Sequence, residues 1–174
     1  MKYFICTIFN VLSFFLMKHV GYGYITICKY LFLLNMLIIT AFHDYKTKII
    51  PNKYVLIMLV ARCGFLVIEC LLNTEVYKSI LLLSFLGLLV GSGCFLLAYA
   101  LMRGSVGMGD IKLIGVVGFY VGIRKIFSCM LLSLIISSIV LIVMIIMKKI
   151  KSKDSVPFAP FIAVGTYITL IFNL

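Results

Sequence analysis

Five acidic residues, Asp44, Glu69, Glu75, Asp110 and Asp154, are all the carboxylate chemistry available to this 174-residue chain, which is 64% hydrophobic. Two of them have unusual surroundings. Asp44 closes an apolar run and is followed by Ile-Ile-Pro-Asn at 49 to 52, whereas Asp110 opens another run and is preceded by Gly104, Gly107 and Gly109. An ionisable group set against a membrane is costly and therefore a candidate for function. Two carboxyls held close together cannot both ionise readily, so they titrate in separated steps. At one pH such a pair offers an ionised base that takes a proton from water and a protonated acid that hydrogen-bonds a carbonyl. That is the chemistry of peptide hydrolysis by two aspartates. A helix starting at Asp110 would favour its ionised form through the helix dipole, which leans the shared proton towards Asp44.

The neighbours of the pair suit a peptide substrate. Gly107 and Gly109 remove side chains beside Asp110, where an extended backbone would need close approach. Pro51 fixes the turn after Asp44, and Asn52 is placed to cap a helix beginning near Lys53. Lys112, two residues past Asp110, is set to hold substrate or a lipid phosphate rather than to touch Asp110 itself. Gly107, Gly109, Lys112, Pro51 and Asn52 are thus the candidate substrate-binding residues around the catalytic candidates Asp44 and Asp110. His43 reads as an interfacial side chain. Glu75 and Asp154 read as loop charges, and Glu69, seven residues after Arg62 on the same helical face, as half of a structural ion pair. The cysteines at 6, 28, 63, 70, 94 and 129 all lie in apolar stretches with no two-residue gap between any pair, so they read as small, buried, inert side chains. No metal ligand set is visible, no cofactor is expected, and a zinc chelator should not inhibit.

The elements that must position these residues are membrane helices. Only 12% of residues are charged, a balance far too apolar for a soluble domain of this size. Apolar runs occupy 3 to 17, 24 to 43, 54 to 72, 79 to 102, 111 to 123, 126 to 147 and 157 to 174, and backbone satisfaction in lipid makes them helices. At roughly 20 residues per crossing, the chain has room for about six or seven. The expectation is an all-α bundle of six or seven transmembrane helices forming a single membrane domain over residues 1 to 174. A formal charge of +11 could point to nucleic acid. The cations instead fall between apolar runs, so they are read as topology signals and contacts to anionic membrane lipid, with no nucleic-acid partner. Lys46, Lys48 and Lys53, then Arg103, then Lys148, Lys149, Lys151 and Lys153 mark three loops on one side, predicted to be cytoplasmic. Asp44 and Asp110 come out on that side. Small residues Ser84, Gly87, Gly91, Cys94 and Ala98 predict a face closely approached by another helix, and Gly115, Gly118 and Gly122 predict that the short helix after Asp110 is enclosed.

On these residues the chain resembles the prepilin peptidases that process type IV pilins and archaellins. DYKTKIIPN at 44 to 52 matches the family's Asp followed by Ile-Pro-Asn. GMGDIKL at 107 to 113 matches its Gly-x-Gly-Asp-x-Lys-Leu, and VPFAPF at 156 to 161 is similar to its Pro-Phe-Gly-Pro-Phe, with Ala159 where Gly is usual. The resemblance covers about residues 24 to 174, in order. It implies an aspartyl endopeptidase of the cytoplasmic membrane, with its active site facing the cytoplasm, that removes basic leader peptides from pilin-like precursors after a Gly, with Asp44 and Asp110 as catalytic pair. Larger members add an N-terminal domain with paired Cys-x-x-Cys motifs that methylates the new N-terminus. Lacking those pairs, this chain is expected to cleave without methylating. The run 3 to 17 has no counterpart in a six-helix family pattern.

Two rivals remain. Presenilins and signal peptide peptidases share Gly-x-Gly-Asp, but join it to Tyr-Asp and Pro-Ala-Leu, where this chain has His43-Asp44 and Pro-Phe-Ala-Pro. A non-catalytic transporter or assembly scaffold would use the aspartates for topology or proton conduction. The sequence sets neither the filament system served nor an oligomeric state.

Overall fold

In a computed structural model, residues 2–72, 75–101, 107–148 and 156–174 are described. Among them the chain forms seven helices and no strand: α1 (Lys2–His19), α2 (Tyr24–Thr47), α3 (Asn52–Leu72), α4 (Tyr77–Leu101), α5 (Met108–Val121), α6 (Ile123–Ile146) and α7 (Ala159–Phe172). The all-α membrane bundle expected from the apolar runs is therefore present. Helices α2, α3, α4 and α6 are each long and apolar enough to cross a membrane. Large apolar side chains such as Val60, Val67, Leu82, Leu89, Ile139 and Ile142 point outward from them, the arrangement that lipid rather than water stabilises. The protein is a multi-pass membrane protein.

Helix α5 is the exception that organises the rest. Its 14 residues rise only about 21 Å, short of a hydrocarbon core about 30 Å thick. Ile111 and every residue from 113 to 121 are buried. It is thus enclosed by the longer helices, as its glycines predicted. The tightest neighbour is α4. A Cβ on Gly87 would lie 2.2 Å from the Gly118 carbonyl oxygen, and one on Gly118 would lie 2.1 Å from that of Gly87. Gly91 comes similarly close to the Ile114 carbonyl, at 2.9 Å. The buried line on α4 is Ser84, Gly87, Gly91 and Phe95, whereas Cys94 faces outward. The predicted face therefore turns by one residue at its end, where Phe95 packs against the ring of Phe158. Gly122, at φ +77°, ends α5 in a backbone conformation that side-chain-bearing residues seldom adopt, and α6 begins at once.

The inert reading of the cysteines needs one correction. Cys129 is buried, but Cys28, Cys63 and Cys94 are exposed on the outer faces of the bundle, where a thiol behaves as a small apolar group against lipid. Helix α1 is fastened to α2 by reciprocal amide hydrogen bonds between Asn10 and Asn35, at 3.2 and 2.7 Å, and to α7 by the rings of Phe9 and Tyr167. Two amides facing each other satisfy polar groups that lipid could not.

Candidate active site

Asp44 sits in the last turn of α2. That helix stops where Lys48 takes a left-handed conformation and donates its N–H to the Asp44 carbonyl at 2.7 Å, so the chain turns through Ile49, Ile50 and Pro51 straight into α3. The carboxyl is buried, with Asp44 only 4% exposed. Its Oδ2 accepts the Ala159 N–H at 3.0 Å. Ala159 is the first residue of α7, and the first N–H groups of a helix have no partner within it. The segment VPFAPF thus brings the free amide end of α7 onto the carboxyl of α2. Ala159 is fully buried at that contact, so the methyl group it carries is accommodated there.

Asp110 lies in the first turn of α5, outside the four long crossings. Gly107 caps that helix, its carbonyl accepting the Asp110 N–H at 3.0 Å. A Cβ on Gly107 would come within 2.8 Å of the Asp110 Oδ2. The glycine therefore makes room for the carboxyl. Burial first, and then the negative charge of Asp44, push the Asp110 carboxyl up to about 6 against the opposing pull of a backbone hydrogen bond from Gly107. At Asp110, desolvation and a like charge outweigh the pull of the helix start. Asp44 and Asp110 lie at the same end of the bundle, near enough for the charge of one to act on the other.

The remaining sequence candidates gather around that end. Asn52 is the first residue of α3 rather than its cap, and Pro51 precedes the helix, with its carbonyl accepting the Tyr54 N–H at 3.1 Å. Freed from capping, the Asn52 Oδ1 accepts a hydrogen bond from Lys112 Nζ at 3.0 Å, which ties the head of α3 to the head of α5. A Cβ on Gly109 would meet Ile50 at 2.9 Å, so the space beside Gly109 is occupied by the chain's own loop. His43 stands edge-on to Tyr54. Gly104 and Asp154 lie outside the described residues.

The model of the type IV leader peptidase family matches residues 31–146, a stretch that contains both aspartates and runs from α2 to the end of α6. The chain belongs to the type IV leader peptidase family. It is similar to a prepilin leader peptidase/N-methyltransferase of Bacillus subtilis (strain 168), with 29% identity over 142 residues, which is 80% of this chain and 54% of the relative. The chain thus spans about half the length of that curated leader peptidase. No solved structure matches. The family match includes neither α1 nor α7.

One charged group of this leader peptidase family member escaped the sequence reading. Arg62 and Glu69 do pair, at 2.7 Å, but Lys29 joins them at 2.6 Å from the other Glu69 oxygen. The signal was a lysine inside the apolar run 24 to 43, a position where lipid would not tolerate an unpaired ammonium.

Proposed function

We propose that this chain is an aspartyl endopeptidase that removes the leader peptide from pilin-like precursors at the cytoplasmic face of the cell membrane, with Asp44 and Asp110 as its catalytic pair. The observation that carries the reading is the electrostatic coupling of the two aspartates: the negative charge of Asp44 at the end of α2 makes the Asp110 carboxyl at the head of α5 harder to ionise. Asp44, anchored as an acceptor by the Ala159 N–H, takes a proton from water as that water attacks the scissile carbonyl carbon. Asp110 donates its proton to the carbonyl oxygen as it gains charge. Collapse of the tetrahedral adduct then breaks the C–N bond as Asp44 passes the proton taken from water to the leaving amine and Asp110 takes its proton back from the adduct's hydroxyl. Pro51, Asn52 and Lys112 lie at the same end as the pair and are proposed to seat the extended peptide, with Lys112 and Asn52 acting as one hydrogen-bonded unit, while Gly107 and Gly109 are proposed to support it indirectly by making room for the Asp110 carboxyl and for Ile50. A precursor anchored in the same membrane meets the site at raised effective concentration, so charge attraction to a basic leader is not required.

The test is co-expression with pilin-like precursors from the same genome, following leader removal by gel shift and N-terminal sequencing. Cleavage after a Gly is expected for the wild type and for Asp154→Asn. Asp44→Asn and Asp110→Asn should each lower the rate by about a thousandfold or more, since each removes half of a group that acts as a unit. Persistent cleavage by either of those two folded variants sinks the two-aspartate mechanism. Proton or ion flux without any cleavage would favour the transporter reading instead.

A further inference from the structure

At the end of the bundle away from Asp44, a cavity of about 680 Å³ opens between α2, α3, α4 and the end of α5. Its walls include apolar side chains such as Ile25, Leu72, Ile80 and Leu83, while Lys29, Arg62 and Glu69 supply charge. All three charged residues are buried, Arg62 to 1% exposure. Each oxygen of Glu69 is taken by a different cation. Arg62 is engaged on all its nitrogens, with Nε donating to the Phe119 carbonyl at 2.9 Å and another nitrogen to Ser84 Oγ at 2.8 Å. Lys29 differs. An ammonium has three donors, and one of them reaches Glu69, while its charge lies 4.9 Å from the Tyr30 ring.

Two cations therefore share one anion. Among the described residues no other carboxylate forms an ion pair here. Asp44 and Asp110 are at the opposite end, and Glu75 lies in an exposed turn. An excess positive charge buried at membrane depth is costly unless an anion completes it, and the cavity beside it has room for one. Its apolar walls match a molecule that is anionic at one end and hydrocarbon at the other.

We propose that this cavity binds the monoanionic phosphate of an amphiphile, with the phosphate on Lys29 and the hydrocarbon along the apolar walls, in the leaflet opposite the catalytic pair. Phosphate is the shared chemistry of a phospholipid headgroup and of free inorganic phosphate, and the walls favour the lipid. The site is separate from the peptidase chemistry and does not rest on it.

The test uses the purified full chain in neutral detergent, offered short-chain phosphatidylglycerol, short-chain phosphatidylcholine or inorganic phosphate, with retention read by native mass spectrometry and stabilisation by thermal unfolding. The wild type should retain phosphatidylglycerol in preference to phosphatidylcholine. Lys29→Met should lower that retention about tenfold or more, as loss of a charge-assisted hydrogen bond implies. Lys29→Arg and the exposed control Lys78→Gln should keep it, and Glu69→Gln, which adds to the positive excess, should raise it. Equal retention by wild type and Lys29→Met, or no preference for the anionic lipid, overturns the site. Stabilisation by inorganic phosphate equal to that by lipid overturns the amphiphile and leaves only an anion site. Should Lys29→Met fail to fold, the Glu69→Gln arm decides, because a purely structural ion pair would lose stability there without any gain in lipid.

Discussion

The proton on Asp110 is where the residue chemistry becomes measurable. With its carboxyl raised to about 6, Asp110 is protonated below that pH and loses the proton as pH rises through it. If this proton is the one delivered to the carbonyl, kcat/KM for leader cleavage should fall about tenfold per pH unit above 6. A bound peptide excludes water from the site, so the same limb in kcat should lie at higher pH. Cleavage rates measured across a pH series check both, and a kcat/KM that stays flat from about pH 6 to 8 would remove Asp110 from the acid role. Stability should respond in the same direction. A carboxyl raised in the folded state binds its proton more tightly there than when unfolded, so its contribution is present at low pH and is lost as pH rises from about 4 through 6. Asp110→Asn keeps the shape without the charge. It should gain about 1 kcal/mol over wild type above pH 7, allowing for the partial exposure of the carboxyl, with the difference vanishing near pH 4 in thermal unfolding scans.

Helix α5 places that residue, and α4 places α5. Because Gly87 and Gly118 meet backbone to backbone, Gly118→Ala cannot be absorbed by a side-chain rotation and must push the helices apart. A cost of about 1 to 3 kcal/mol is expected, together with reduced cleavage, since Asp110 rides on the displaced helix. Gly93 lies on the same α4 with nothing within 4 Å of a Cβ, so Gly93→Ala should be neutral or stabilise by up to about 1 kcal/mol. Unfolding midpoints and cleavage rates for the two variants separate packing from simple helix propensity. The glycines of both helices were legible in the sequence, as were the helices themselves, because apolar runs and small-residue spacing follow directly from lipid and helix geometry. What was not legible depends on contacts between distant segments. The N–H of Ala159 reaching Asp44, the Lys112 bond to Asn52, and Lys29 completing the Arg62–Glu69 pair each join residues 40 or more apart. The burial that raises the Asp110 carboxyl is likewise imposed by the bundle, whereas the helix dipole that opposes it is local to α5.

At the scale of the whole molecule, the unequal distribution of charge predicts a direction. Alternation of the helices puts Lys46, Lys48, Lys53, Lys112 and Lys148 at the Asp44 end, and the sequence between α6 and α7 adds Lys149, Lys151 and Lys153. The opposite end has Lys18, Lys78, Arg124 and Lys125. The excess of cations at the Asp44 end is the pattern that cytoplasmic loops carry, so the catalytic pair is expected to face the cytoplasm. The exposed side chains of Lys48 and Glu75 lie at opposite ends and report on the orientation directly. In a variant with its native cysteines replaced, Glu75→Cys should react with a membrane-impermeant maleimide in intact cells, whereas Lys48→Cys should react only after the membrane is opened. The reverse labelling pattern would place the aspartates outside. It would also separate the site from any leader that stays on the cytoplasmic side, because a short basic leader resists translocation for the same reason that these loops do.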